Sequence, residues 1–453
     1  MVCQNRIYLI KQITATSVSG FLSLCAGLAF GFSAVLLPQL KKDENFPYDE
    51  SYSSWIASVT PLSMVLGCLS AGSIIDGLGR KPGHIILAFS FTVSWLIQAF
   101  AKNNQVMLLG RFFTGICTGA IRPITLVYLG EIADPKYRGL MLFTPPLTLN
   151  AGIILNHALG GFVFWRTNSL VCGAPSMISI VLLLILKESP LWLISKGKIE
   201  EGVEIFKWFR GETDAAEKEL KSILEKQKTK TSNVSMKDYL KKDFLKPLLI
   251  SFFLAIASQC NGANVITFYA QDILEKLIPH DYDPFTLMIT TDCVRLFAAL
   301  VIFFFGNRFP RKISFLVCIF GASLLLCGLL GLLYSNFTKL KWLSVVLLIA
   351  YVALASATVT FAWSFVTELY PSKLRGTGSG VSAGIAYLLL SLMVKVTPGI
   401  ISAFGVKILF FCFAAIATLN AIALFFLLPE TSGRSLQEIE DGYDKKNIII
   451  SKL

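Results

Sequence analysis

The chain has 453 residues, of which 54% are hydrophobic and only 15% charged, with a formal charge of +12 at pH 7. That balance excludes an ordinary soluble enzyme and a disordered chain, and it indicates a membrane protein with several spans. The excess Lys and Arg lies in short loops between apolar runs, where it sets orientation, so the charge does not point to nucleic acid.

The first apolar run, residues 17–40, is too long for a signal-peptide core and is not followed by a small-residue cleavage site, so it is expected to stay as a transmembrane helix. The criterion of about 20 apolar residues per span gives six runs in the first half of the chain: 17–40, 55–75, 83–101, 106–130, 140–162 and 168–186. Six more follow at 247–274, 285–306, 313–334, 343–367, 377–402 and 406–428. The turn Asp76-Gly77-Leu78-Gly79-Arg80-Lys81 joins the second run to the third, and Asn307-Arg308-Phe309-Pro310-Arg311-Lys312 joins the eighth to the ninth. A basic turn used once in each half indicates a duplicated architecture. The expected fold is an all-α membrane protein of twelve transmembrane helices in two six-helix bundles. The halves are residues 1–186 and 247–430, with a linker at 187–246 and a tail at 431–453.

The linker is rich in Lys and Glu and carries Ile199, Val203, Phe206 and Leu220 at helical spacing, which predicts short amphipathic helices. Residues 226–237 are expected to be a flexible link. Arg6, Lys11, Arg80, Lys81, Lys136, Arg138, Arg308, Arg311, Lys312, Lys373 and Arg375 fall on one side of a twelve-span chain, as do the linker and tail. The positive-inside rule makes that side, with both termini, cytoplasmic in a multi-pass protein of the cell membrane. The sequon Asn336-Phe337-Thr338 then lies outside as a glycosylation acceptor, whereas Asn233-Val234-Ser235 lies inside and is discounted. Cys25, Cys68, Cys117, Cys172, Cys293, Cys318, Cys327 and Cys412 all sit in apolar runs without metal-ligand spacing and read as small packing residues.

Several motifs, in order and at this spacing, carry a family resemblance. They are the Asp76–Lys81 turn, Gly110-Arg111, the stretch from Glu131 to Gly139, Glu188-Ser189-Pro190, the stretch from Glu368 to Gly376, and Pro429-Glu430-Thr431. Over nearly its whole length the chain resembles the sugar porter family of the major facilitator superfamily, and within it the insect facilitated trehalose and hexose transporters. The resemblance implies that Asp76, Arg80, Glu131, Arg138, Arg311, Glu368 and Arg375 form gating ion pairs at the cytoplasmic ends of the bundles. Asn307 and Pro310 depart from the family pattern, so the second cluster is expected to be the weaker.

The same resemblance places the substrate near the bilayer midplane, between the halves. In the seventh run, Ser258-Gln259-Cys260-Asn261-Gly262-Ala263-Asn264 matches the family pattern at Gln259 and Asn264, with Ser258 replacing a glutamine. An amide offers both donors and an acceptor to a sugar hydroxyl, although bonding between helices would use the same groups. Gly262 permits a bend. Trp363 matches a cavity tryptophan whose face can pack on a sugar ring. Elsewhere the polar lining is missing: family amides or prolines are replaced at Pro146, Arg295, Ala357–Ala362 and Ala386-Tyr387.

Arg122 and Arg295 lie in mid-membrane, where a charge must find a partner or face a cavity. Asp292, three residues before Arg295, is the expected partner, and Arg111 shares the face of Arg122. The alternative is that Arg122 or Arg295 binds an anion on the substrate. The first run has no Asp or Glu; Ser33 stands near the acid of proton-coupled relatives, which favours uniport, with Asp272 and Asp292 as possible substitutes.

The leading expectation is facilitative transport of a sugar. A carrier of an organic anion or sugar acid, and a nutrient receptor that does not transport, are the alternatives. No enzyme activity, metal or cofactor is expected, and His84, His157 and His280 are scattered and read as structural. The expected partners are a small-molecule substrate and the lipid bilayer, not nucleic acid; the oligomeric state stays open.

Overall fold

The computed structural model describes residues 2–228, 239–277, 282–306, 308–335, 341–370 and 374–430, and no β-strand occurs among them. Six helices cross in the first half: α1 (Val2–Lys42), α2 (Glu50–Leu78), α3 (Arg80–Ala99), α4 (Asn104–Ile132), α5 (Arg138–Phe162) and α6 (Trp165–Ile185). Side-chain caps set several starts. Asp49 Oδ1 accepts from the Ser51 N–H at 2.9 Å before α2, and Asn103 Oδ1 accepts from the Val106 N–H at 2.9 Å before α4.

Three short helices follow: α7 (Pro190–Ser195), α8 (Ile199–Arg210) and α9 (Asp214–Lys228). The linker is amphipathic as expected, with Phe206, Ala216 and Leu220 packed on Ile194. Ile199 is the exception. It lies at the first position of α8 and is exposed, because its face looks away from that small core. Gln12 ties the linker to α1 and α4: its Nε2 donates to Phe209 O at 2.8 Å and its Oε1 accepts from Asp134 N–H at 2.9 Å.

In the second half, α10 (Lys242–Gln259), α11 (Ala263–Phe268) and α12 (Ala270–Leu277) share one crossing. Three single crossings come next: α13 (Pro284–Phe305), α14 (Arg311–Ser335) and α15 (Lys341–Glu368). The continuous helix α16 (Arg375–Leu427) contains two crossings that meet at Gly405, where φ is 82°. Among the described residues, ten helices are long and apolar enough to cross a membrane. Splitting α16 and adding the broken α10–α12 crossing gives the twelve spans the apolar runs require. Leu66, Phe89, Leu184, Phe304, Leu324 and Phe426 form part of the apolar outer surface that lipid covers. Cys293 and Cys327 also point outward, so these two are not packing residues. Their helix faces look away from neighbouring helices.

Within the first half α1 packs along α5, α2 along α4 and α3 along α6. The closest approaches use glycine. A Cβ on Gly27 would stand 2.0 Å from the Leu149 carbonyl oxygen of α5, which only a missing side chain permits. The two halves meet along seams between α2 and α16, α5 and α13, and α1 and α11. We expect Gly27→Val to push α1 off α5, lowering stability by at least ~1–3 kcal/mol. A thermal scan in detergent checks it, and an unchanged melting temperature would contradict the packing described.

Candidate functional site

The chain leaves the helical path at Cys260–Gly262, between α10 and α11. Gly262 has φ of +87°, and a Cβ there would lie 2.5 Å from the Phe413 ring and 2.6 Å from the Tyr351 hydroxyl. Glycine is therefore required on both counts. Side chains satisfy two of the backbone groups freed by the break. The Asn261 side chain accepts from the Ala263 N–H at 3.0 Å and donates to Ala355 O at 3.1 Å, while the Tyr351 hydroxyl donates to Asn261 O at 2.5 Å. This break presents the expected amides together. Asn264 Nδ2 donates to Gln259 Oε1 at 2.8 Å, and Gln259 Nε2 donates to Ser258 Oγ at 3.1 Å. Asn264 is half-buried and Gln259 buried, so each amide spends part of its hydrogen-bonding capacity on the other in this state. Ser258 also lines a cavity with Ser251, Ala255, Trp363, Ser382 and Ala386.

Trp363 of α15 faces this cavity, but its ring is not free. The Arg122 guanidinium of α4 lies 4.1 Å from the ring centroid, and Tyr387 tilts against the same indole at 5.9 Å. The contact crosses from one half to the other. Met64, Cys68 and Tyr387 form a small apolar cluster around it, with Phe30, Val65 and Ala383. Arg122 is half-buried.

The other mid-membrane arginines, Arg111 and Arg295, bond to neighbouring helices. Arg111 is fully buried; its donors reach Ile56 O and Ala29 O at 3.3 Å and Ser33 Oγ at 2.5 Å, locking α4 to α1 and α2. Arg111 and Arg122 therefore share a face but not their partners. Arg295 of α13 donates to Thr267 Oγ1 and to Ala263 O, holding α11. Among the described contacts no hydrogen bond or ion pair joins Asp292 to Arg295, although the Asp292 charge still acts on that guanidinium. Asp292 Oδ2 instead accepts from His157 Nδ1 of α5 at 2.5 Å. Helical spacing identifies the local partner, whereas packing α5 against α13 supplies a nearer one. His84 is structural as expected, its ring nitrogens 2.8 Å from Arg80 O and 3.2 Å from Thr125 Oγ1.

At the end carrying the basic turns, two constellations repeat. Arg80 forms a two-pronged pair with Glu131, at 2.9 and 2.7 Å, and touches the exposed Asp76 at 3.4 Å. Ser189 Oγ donates to Glu131 at 2.5 Å, and Glu188 accepts from the backbone N–H groups of Arg80 (2.9 Å) and Lys81 (3.1 Å). Burial raises the Glu188 pKa, against lowering by these N–H groups and by Arg80. In the second half Arg311 pairs with Glu368, and Glu430 accepts from the backbone N–H groups of Arg311 and Lys312 at 3.1 Å each. Among the described residues, the first constellation joins the first half to the start of the linker and the second joins elements of the second half. Arg138 departs from the pattern: it reaches Glu219 of the linker at 3.9 Å, beside Arg210, which pairs with the same carboxylate. Glu188 and Glu430 lie in the family motifs, but the sequence alone assigns them no role; the signal is an acid after the sixth and the twelfth span. Asn233, His280, Asn307, Asn336 and the Arg375 side chain lie outside the described residues.

Residues 15–443 match the sequence model of a family described as Sugar (and other) transporter. A facilitated trehalose transporter from Polypedilum vanderplanki is 28% identical over 450 residues, covering 96% of this chain and 88% of that one. Its Drosophila mojavensis namesake is 28% identical over 448 residues, covering 96% of this chain but 52% of its own, so this chain spans about half of that longer protein. Among solved structures, the inward-open xylose transporter XylE from E. coli superposes with a TM-score of 0.80 at 18% identity, over 95% of this chain and 99% of that one. The proton:xylose symporter XylE bound to 6-bromo-6-deoxy-D-glucose gives 0.78 at 19%, over 97% and 100%.

The two carboxylate ties differ in burial: side-chain exposure is 9% and 16% for Arg80 and Glu131, but 25% for both Arg311 and Glu368. Removing one partner of a buried pair costs ~3–5 kcal/mol. Glu131→Ala should therefore lower the melting temperature more than Glu368→Ala, and the reverse order would contradict this ranking.

Proposed function

The chain belongs to the Sugar (and other) transporter family, and on that premise we propose a facilitative carrier that moves a sugar such as trehalose or a hexose by alternating access. The observation that carries the reading is the Gln259–Asn264 amide pair, brought together by the break at Gly262 where the two halves face each other. The names of the trehalose-transporting relatives support the sugar class. We place the basic end in the cytoplasm of a cell membrane, with both termini there, on the charge asymmetry of the loops.

In this reading, residues 1–186 and 247–430 rock as bodies about the amide pair. The Arg80–Glu131–Glu188 and Arg311–Glu368–Glu430 constellations tie helix ends within each body, so that motion concentrates at the seams. Gating by these pairs, and by Arg138 through the linker, then acts on the stiffness of the bodies. Arg122 over Trp363 closes the passage on the basic side of the amides. It must leave that ring before a sugar can stack there. Uniport is supported at Ser33, where Arg111 meets a neutral hydroxyl in place of a carboxylate that could carry a proton.

One observation favours a second reading. Arg122 stands half-buried against an indole and a phenol, a cation suited to an anionic group on the substrate. Arg295 is the weaker candidate for that role, because it is buried and its terminal nitrogens already bond to Thr267 and Ala263.

An uptake panel in vesicles, covering trehalose, glucose, fructose and a sugar acid, separates the readings. A neutral sugar is expected to equilibrate and to keep doing so after a pH gradient is collapsed. Uptake of the sugar acid alone, abolished by Arg122→Gln, would replace the lead with the second reading; no uptake of any would leave a receptor. Gln259→Ala and Asn264→Ala should each raise the half-saturation concentration roughly tenfold, the worth of about one hydrogen bond. Unchanged half-saturation in both would remove the amides from the site.

A further inference from the structure

The buried His157–Asp292 contact is the only part of this ionisable cluster that joins α5 to α13 among the bonds described, and the sugar reading does not use it. His157 is fully buried, and its Nδ1 donates to Asp292 Oδ2 across 135 residues of sequence. The contact lies toward the end opposite the basic turns. His157 is about 8 Å below the end of α5 and Asp292 about 12 Å below the start of α13, at the helical rise per residue. Above it Phe162 and Phe285, one from each half, meet edge-on with centroids 6.2 Å apart. The pair therefore sits beneath an aromatic contact between the halves, on the seam that must part if that end is to open.

The neighbours limit where the Asp292 charge can go. On its own helix Arg295 is three residues away, on the same face, and now donates to Thr267 Oγ1 and Ala263 O of α11. From α15, the Tyr351 hydroxyl is committed to Asn261 O. On α12, Asp272 and Lys276 pair with each other at 2.8 Å. Helix α1 presents Gly31 to the His157 ring, and α6 presents Cys172, which accepts from Asn156 at 3.1 Å. Arg111 of α4 is spent on α1 and α2.

We propose that Asp292 is a switch carboxylate with two alternating partners: His157 while the far end is closed, and Arg295 once it opens. Parting the seam takes His157 away, and a carboxylate left alone in that setting is strongly disfavoured. Arg295 needs only a rotamer change to replace the lost partner. Arg295 Nε is free of hydrogen bonds here, but a two-pronged grip on Asp292 also draws a terminal nitrogen away from α11, so opening of the α5–α13 seam loosens the helix that carries Asn264. The Ala263 carbonyl is not orphaned, because the Thr267 hydroxyl already donates to it at 3.2 Å. These residues are positioning residues for the transport cycle; none needs to touch the substrate.

The test reads conformation directly, without sugar, so its failure leaves the transport reading intact and the uptake panel leaves it intact in turn. With the native cysteines replaced, spin labels at positions 164 and 282 report the separation of the two halves at the far end in lipid nanodiscs. His157→Gln removes only the closed-state partner and should raise the long-distance population about fivefold. Arg295→Gln removes only the open-state partner and should lower it. Arg295→Lys keeps the charge but loses the forked grip on α11, and should raise it. In an Asp292→Asn background none of the three should matter. A role in packing alone would move all the variants the same way. Shifts of one sign, or no shift in His157→Gln, would overturn the proposal. Should Arg295→Gln fail to fold, the His157→Gln and Arg295→Lys pair, with and without Asp292→Asn, decides the question alone.

Discussion

Backbone groups in the apolar part of a bilayer find no water, so every N–H and C=O there must be satisfied by the protein itself. That constraint makes the break at Gly262 the centre of this structure. The interrupted helix is helped by Asn261 and Tyr351, which occupy the Ala263 N–H and the Asn261 carbonyl. The same interruption turns Gln259 and Asn264 toward each other at the level where two six-helix bodies meet. Close helix contacts at Gly27, the tie of Arg111 to α1 and α2, and the paired ends of each half keep the surrounding helices rigid enough for the break to serve as a site.

Buried charge is handled in three different ways. Arg111 is converted into a structural tie, with carbonyls and a hydroxyl as acceptors. Arg122 is set against aromatic surface and stays partly exposed. Asp292 and Arg295 are divided between different neighbours, one across the seam and one on α11. Only the first arrangement is indifferent to movement of the halves. The other two join surfaces that alternating access must separate, which is why they bear on the cycle and Arg111 does not.

Much of this was legible in the residues. Apolar runs of membrane length fixed the spans, since a helix in lipid has little freedom of length. Repeated basic turns gave the duplication, and Gly262 followed by Asn264 located the bend. What escaped was tertiary. Spacing paired Asp292 with Arg295 because helical periodicity sees three residues along one helix and nothing 135 residues away. His157 looked like a lone structural histidine for the same reason. Glu188 and Glu430 were visible as motif residues, but their acceptor role toward the N–H groups of the basic turns depends on where two loops end in space. Trp363 was identified, yet its cover by Arg122 required the two halves to be brought together.

The central claim is that the amides at the Gly262 break lie between two bodies that expose them to each side in turn. Single cysteines at Gln259 and Asn264, in protein otherwise free of cysteine, can be challenged with a membrane-impermeant thiol reagent from either face of oriented vesicles. The account predicts that both positions react from both faces, and that trapping one access state abolishes labelling from the opposite face. Reaction from neither face, under any condition, would contradict it.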